Sequence, residues 1–183
     1  MATATEPMTA EEFATRPDPG YPEELVQGRI VSMPPATPRH GKVCGETHFI
    51  LRSHAGPHDL GHVLSNDSGV VTGRDPDTVR GADISFYSYA KIPKGKFPRG
   101  YLNIVPDLVV EVRSDDDRWR DILAKVHEYL DAGVKVVIVL DPDPERAHIF
   151  RPDQAPRDLG PDDELTVPDL LGDFRVAVRR FFE

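Results

Sequence analysis

Apolar side chains recur at helical spacing in two parts of the chain, and each stretch has a recognisable start and stop. The first predicted helix begins at Thr37-Pro38, where a capping residue precedes proline, and ends at Gly56-Pro57. Its apolar face consists of Val43, Thr47, Ile50 and Leu51. The second helix follows Ser114, begins in the acidic run 115–117 and ends at Gly133. Its apolar face consists of Ile122, Leu123, Val126 and Leu130.

Elsewhere the pattern is that of short β-strands separated by turn residues. A capping box of Thr9 and Glu12 first opens a short N-terminal helix. A hairpin around Gly28 follows. The predicted strands cover residues 23–27, 29–33, 63–64, 70–71, 79–87, 108–112, 134–140 and 147–150. This order predicts a single α+β domain, 1–183, in which helices flank one central sheet and residues 151–183 form a loop-rich C-terminal extension.

Composition narrows the class of protein. Apolar residues make up 39% of the 183 residues and charged residues 29%, which permits a real core and argues against wholesale disorder. The one cysteine, Cys44, forms no intrachain disulfide; we interpret it as a small core residue and expect a cytoplasmic protein. The longest apolar run, 136–140, is too short to cross a membrane, and the N-terminal segment lacks the features of a secretory signal.

The net charge of −9 is unusual for a nucleic-acid-binding protein, but its distribution is uneven. Residues 29–100 carry 10 basic and 6 acidic side chains, a net of +4. Lys91, Lys94, Lys96 and Arg99 lie there in a Pro- and Gly-rich stretch without an acid. This stretch is either a solvated loop or a loop that contacts phosphates.

Histidines 54, 58 and 62 are spaced four apart, which suggests a metal site. We expect Gly56, Pro57 and Gly61 to break any helix that would align them, and therefore predict a structural or solvent-exposed role. The sequence contains no GxGxxG segment after a strand, Walker loop, HExxH or GxSxG motif.

Two acids occupy strand positions where apolar residues are expected: Asp83 and Glu111. A buried carboxylate is unfavourable unless it is paired or bound to a metal, and two on neighbouring strands repel unless a cation lies between them. Directly opposed residues lie close enough for both to bind one Mg²⁺ or Mn²⁺. Lys125 lies at the edge of the apolar face of the following helix. Alternatively, Glu111 faces solvent and Lys125 is only the flank of an amphipathic helix.

Four segments in this order resemble the Uma-two family of restriction endonucleases, a branch of the PD-(D/E)XK nuclease superfamily. They are 24–31 (ELVQGRIV), 83–85 (DIS), 106–114 (PDLVVEVRS) and 121–129 (DILAKVHEY), the last running into a Val-rich strand that ends at Asp141-Pro142. The resemblance covers residues 8–150 and implies a restriction-endonuclease-like core with a central mixed β-sheet.

The resemblance also implies roles for particular residues. Asp83 and Glu111 would hold Mg²⁺ or Mn²⁺, and Lys125 would support the nucleophilic water. The superfamily usually places this lysine two residues after the glutamate, where this chain has Arg113, which does not deprotonate. Glu24 and His40 match recurrent family positions and would complete the metal shell or orient water.

We therefore predict a metal-dependent endonuclease that acts on nucleic acid, with DNA as the expected substrate and a homodimer as the expected assembly. The basic loop 91–99 would hold the backbone. The alternative is a non-catalytic binding or scaffold protein on a nuclease fold, which the net charge and the acidic run 115–117 favour. A binder of single-stranded nucleic acid is less supported, because aromatic residues are sparse in the basic region.

Overall fold

A mixed β-sheet crosses the middle of the molecule and carries helices on both faces. The computed structural model describes residues 6–183. The predicted domain and the N-terminal segment predicted to lack a secretory signal both include residues 1–5, which lie outside the described part. The helices are α1 (Ala10–Ala14), α2 (Pro38–Ala55), α3 (Trp119–Asp131) and α4 (Pro168–Leu171), with a final 3-10 helix at Val178–Phe181. The strands are β1 (Glu23–Val26), β2 (Arg29–Ser32), β3 (Gly61–Gly73), β4 (Thr78–Ser88), β5 (Leu108–Val112), β6 (Val136–Asp141), β7 (Arg146–Phe150), β8 (Arg157–Leu159), β9 (Glu164–Thr166) and β10 (Arg175–Ala177).

The N-terminal elements form as the local sequence predicts. The Thr9 side chain accepts a hydrogen bond from the Glu12 amide, and the Glu12 side chain accepts one from the Thr9 amide, so the capping box opens α1. Strands β1 and β2 are joined by Gln27 and Gly28, both at positive φ (49° and 71°), the backbone geometry of a tight hairpin. A Cβ at position 28 would lie 2.3 Å from the Cβ of Pro7, so only glycine fits there.

The sheet order is β2-β1-β4-β5-β6-β7-β8. Strands β1 and β5 pair with different parts of β4, and β3 pairs with β4 along its whole length. Strands β5 and β6 run parallel, joined by α3, and the other pairs are antiparallel. Every residue of β5 and β6 is buried, because helices cover both faces of the sheet at its centre. The predicted central mixed sheet flanked by helices is therefore confirmed.

Two apolar cores lie on opposite faces of the sheet. One packs α2 against the sheet, with Val43, Leu51 and Ala55 on the helix. The other packs α3 against the opposite face, with Ile122, Val126 and Tyr129 on the helix. The predicted apolar face of α3 is wrong at Leu123, which is 37% exposed, while Tyr129 is fully buried in its place.

Two local predictions are corrected by the structure. The separate strands at 63–64 and 70–71 are parts of one long strand, β3, interrupted by a register shift between Ser65 and Ser68. The acidic run 115–117 does not open α3, which begins at Trp119. Instead the Asp117 carboxylate accepts a hydrogen bond from the Ser114 amide at 2.8 Å, so the run forms a turn before the helix.

The C-terminal residues 151–183 contain β8 to β10, α4 and the 3-10 helix. Strand β8 extends the sheet next to β7. Apolar side chains of this segment enter the core on the α2 side: Leu159, Leu165, Val167, Leu171, Phe174, Val178 and Phe181. Among residues 6–183, none of the helices has the length and apolar character needed to span a lipid bilayer.

Candidate active site

Asp83 and Glu111 lie on neighbouring antiparallel strands. The β4–β5 register pairs Ile84 with Val110 and Ser85 with Val109, and Asp83 and Glu111 are the next residues along the two strands. Asp83 is only 8% exposed, and its Oδ2 accepts a hydrogen bond from the Val112 amide at 2.7 Å. The register therefore brings together the two strands on which the predicted pair depends.

A β-bulge in β3 adds a further carboxylate beside Asp83. Asn66 and Asp67 both stand against Asp83 in the register, and both have positive φ (67° and 50°). Gly81 permits this close approach, because a Cβ there would lie 3.0 Å from the Cβ of Asp67. Burial, and then the nearby charge of Asp83, raise the pKa of Asp67. Sequence analysis missed Asp67, although the turn-forming run Asn-Asp-Ser-Gly inside a strand region was a signal for a bulge.

A cavity of about 300 Å³ opens next to Asp83, between the first turns of α2 and the β3 bulge. It is lined by Ala36, His40, Gly41, Cys44, Gly45, His48, Ser65, Asn66, Asp67 and Asp83. His40 Nε2 lies 3.3 Å from Asp83 Oδ2, and the hydrogen bond with this carboxylate raises the pKa of His40. His40 therefore lies beside Asp83, the predicted metal ligand, and its role in the metal shell stays a prediction.

Cys44 is half-buried and lines this cavity, so it is not only the small core residue that the sequence predicts. Its Sγ lies 3.5 Å from His40 Nδ1, and burial together with Asp83 raises the pKa of its thiol. Ligand atoms of His40, Cys44 and Asp83 all lie within 4.8 Å of one another. The structure therefore contains a candidate metal-binding group that includes one of the two predicted ligands, Asp83.

Glu111 occupies the α3 side of the site. It is 5% exposed; Tyr129 Oη donates a hydrogen bond to its Oε1 at 2.9 Å, and Lys125 Nζ lies 3.9 Å from its Oε2. Burial raises the pKa of Glu111 to about 8, with the charge of Asp83 adding to the effect and Lys125 opposing it. The alternative in which Glu111 faces solvent does not fit this burial.

Lys125 extends from α3 toward the carboxylates of Glu24 and Glu111. Its Nζ lies 3.1 Å from Glu24 Oε1, and its side chain is 20% exposed. Burial alone would lower the pKa of Lys125, but Glu111 and Glu24 outweigh it and the pKa is raised. At neutral pH this side chain is an ammonium ion that donates hydrogen bonds, and it cannot act as a proton acceptor.

Glu24 is held by three donors. Besides Lys125, the Gly81 amide donates to Oε1 at 3.1 Å and Arg80 donates to Oε2 at 2.8 Å. Arg80 in turn donates two hydrogen bonds, at 2.6 and 2.7 Å, to Glu128 of α3. These contacts make Glu24 an anchor that positions Lys125, and sequence analysis missed the Arg80 side of this network.

The competing cation, Arg113, is engaged elsewhere. Its Nη1 lies 3.2 Å from both carboxylate oxygens of Asp141, and its guanidinium lies over the Trp119 ring at 5.6 Å. No ion pair links Arg113 to Glu111 within residues 6–183. Arg113, two residues after Glu111, therefore stabilises the end of β6 through Asp141.

The four cations of the basic loop have different surroundings. Lys91 donates to the Val105 carbonyl at 2.9 Å, and Lys94 pairs with Asp59. Lys96 and Arg99 are exposed, and neither forms an ion pair with any residue from 6 to 183. The loop leaves β4 at Ser88, five residues or about 17 Å along the strand from Asp83.

Two comparisons relate this chain to known proteins. Residues 10–179 match the Uma2 family, described as "Putative restriction endonuclease". The match spans most of the chain, which therefore belongs to this family. A crystal structure of "a putative nuclease belonging to DUF820 from Anabaena variabilis" superposes with a TM-score of 0.83 at 22% identity, covering 96% of this chain and 98% of that one. At this identity the likeness supports the nuclease fold. No curated protein matches the chain.

Proposed function

We propose that this protein is a divalent-metal-dependent endonuclease with Asp83, Glu111 and Lys125 at its centre. The observation that carries the proposal is that two neighbouring strands carry buried carboxylates just beyond their last paired residues, and that Glu24 holds the Lys125 ammonium 3.9 Å from Glu111. Membership of a family described as restriction endonucleases supports DNA as the substrate. The homodimer stays a prediction, which light scattering of the purified protein would test.

The residues present fit Mg²⁺ or Mn²⁺. Carboxylate oxygens from Asp83 and Glu111 are the ligands these ions prefer, and His40 could join them with Mn²⁺. Burial is the main cause of the raised pKa of Glu111, and the charge of Asp83 adds to it, so a divalent cation would favour the charged form of this carboxyl group. When bound, the ion would lower the pKa of a water molecule and offset charge on the scissile phosphate.

The side chains around this centre hold the proposed metal ligands in place and supply positive charge. The Val112 amide and His40 hold Asp83, while Tyr129 holds Glu111. Lys125 would donate a hydrogen bond to the phosphate oxygen that gains charge in the transition state, or to the attacking water. Glu24 and Arg80 keep the Lys125 ammonium in place.

Nicking of supercoiled plasmid DNA, with Mg²⁺ or Mn²⁺ against EDTA, tests this proposal. We expect metal-dependent nicking that falls by about 100-fold or more in Asp83→Asn and Glu111→Gln, since each removes a charged ligand. Asp131→Asn, an exposed acid on α3, is the matched control and should keep its rate within about 2-fold. DNA binding without nicking would instead support the non-catalytic alternative, and nicking that persists in both site variants would refute the assignment.

A further inference from the structure

Two histidines at the end of α2 lie close together despite the helix breakers between them. The helix ends at Ala55, but Gly56 keeps right-handed helical angles (φ −64°, ψ −57°), so the chain makes one more turn. The rings of His54 and His58 therefore stack, with centroids 4.3 Å apart and planes inclined by 25°. The expectation that Gly56 and Pro57 prevent this alignment is wrong for this pair. His62 is separate, with its Nε2 3.2 Å from the Ile92 carbonyl.

Asp173 completes the cluster from the C-terminal segment. It follows α4, and its Oδ1 lies 3.8 Å from His54 Nε2. One ligand atom from each of His54, His58 and Asp173 lies within 4.8 Å of the other two. The Asp173 side chain is 79% exposed, so it can rotate toward a bound ion without disturbing the core.

Backbone carbonyls hold both rings. His54 Nε2 lies 2.7 Å from the Leu171 carbonyl, and His58 Nδ1 lies 2.9 Å from the His54 carbonyl. A carbonyl only accepts, so in the neutral rings these nitrogens carry the hydrogen and the opposite nitrogens, His54 Nδ1 and His58 Nε2, keep their lone pairs. Asp173 lies beside the protonated Nε2 of His54, so the exposed side chains of His58 and Asp173 would rotate to meet an ion bound at His54 Nδ1. Metal-binding histidines in proteins typically donate their second nitrogen to a backbone carbonyl or carboxylate in this way.

We propose that His54, His58 and Asp173 form a binding site for a divalent transition metal, with Zn²⁺ as the ion that best fits two imidazoles and one carboxylate. Mg²⁺ and Ca²⁺ prefer all-oxygen shells and fit this set poorly. Three protein ligands leave one position for water. The bound ion would join the end of α2 to the segment that follows α4.

This site is independent of the candidate nuclease centre. His40 and His54 are 14 residues apart on the same helix, which corresponds to about 21 Å along its axis. The two metal-binding groups can therefore be examined separately. The Cys44→Ser background removes the thiol of the His40, Cys44 and Asp83 group. Zn²⁺ that still binds at Asp83 and Glu111 affects the parent and its variants equally, so a comparison between them isolates the second site.

The test is titration of chelator-treated full-length Cys44→Ser protein with ZnCl₂, followed by calorimetry and by the melting temperature. We expect Zn²⁺ binding at this site and, at 100 times its Kd, a rise in melting temperature of about 5–10 °C. His58→Asn and Asp173→Asn should each lower the Zn²⁺-dependent rise by this amount relative to the Cys44→Ser parent, whereas His127→Asn, a matched exposed histidine on α3, should leave it unchanged.

Two results would overturn the proposal. One is the absence of any Zn²⁺-dependent change in the Cys44→Ser protein. The other is an unchanged Zn²⁺ affinity in both His58→Asn and Asp173→Asn. Both substitutions are at exposed side chains, so circular dichroism should confirm that the variants are folded.

Discussion

Replacing Glu111 by glutamine should stabilise the metal-free protein, and increasingly so as the pH rises. In the folded protein the pKa of Glu111 is raised from 4.5 to about 8, mainly by burial. Between these two values the folded state holds a proton that the unfolded state has released. Stability is therefore lost as the pH rises through this window, whereas glutamine does not titrate.

The size of the change in the free energy of unfolding follows from the raised pKa of Glu111. While the folded protein keeps the proton and the unfolded protein does not, the free energy of unfolding falls by about 1.4 kcal/mol per pH unit. Between pH 5 and 8 this amounts to at most about 4 kcal/mol. Glutamine can still accept the hydrogen bond from Tyr129, so the comparison isolates the carboxylate charge.

Urea unfolding in EDTA, at pH 5 and pH 8, measures this difference. The free energy of unfolding of the wild type should fall relative to Glu111→Gln by about 2–4 kcal/mol between the two pH values. Saturating Mg²⁺ should reverse the difference at pH 8, because only the wild type offers a second carboxylate to the ion. Parallel pH profiles for the two proteins, with EDTA and with Mg²⁺, would show that burial does not raise the pKa of Glu111 and that Glu111 does not bind the ion.

Two further predictions concern the cations. Lys125→Met should keep metal affinity within a few-fold but slow single-turnover cleavage by about 10²–10³, the loss expected for one charge-stabilising donor. Arg113→Met should lower stability and leave the rate nearly unchanged; the opposite pattern would transfer the role to Arg113. Neutralising Lys96 and Arg99 together should lower the slope of log affinity for duplex DNA against log salt by about 1.8, and an unchanged slope would mean that the loop is only solvated.

Local patterns were enough to place the elements that carry the candidate site. Glu111 interrupts a buried run between Leu108 and Val112, and a polar residue at such a position is visible in the sequence. Lys125 lies on the edge of an amphipathic helix, which helical spacing alone predicts. Both observations depend on residues close together in the chain, where periodicity is informative.

The missed features depend on contacts between distant segments. Asp67 reaches Asp83 only because β3 carries a bulge against β4, and strand register cannot be deduced from one strand. Glu24 and Arg80 meet across 56 residues of chain. His54 and His58 align because Gly56 adopts helical angles, although glycine most often ends a helix.

The charges around the candidate site explain why binding of a metal ion should displace a proton from Glu111. Along the α3 side, Glu128, Arg80, Glu24 and Lys125 alternate in sign, so each charge is balanced by a neighbour. Glu111 comes last in this row and shares Lys125 with Glu24, while the charge of Asp83 on β4 further raises the pKa of Glu111. In the absence of metal, a proton on Glu111 avoids the cost of burying its charge beside that of Asp83. A divalent cation between the strands would remove the need for that proton, so metal binding should release it and strengthen as the pH rises toward 8.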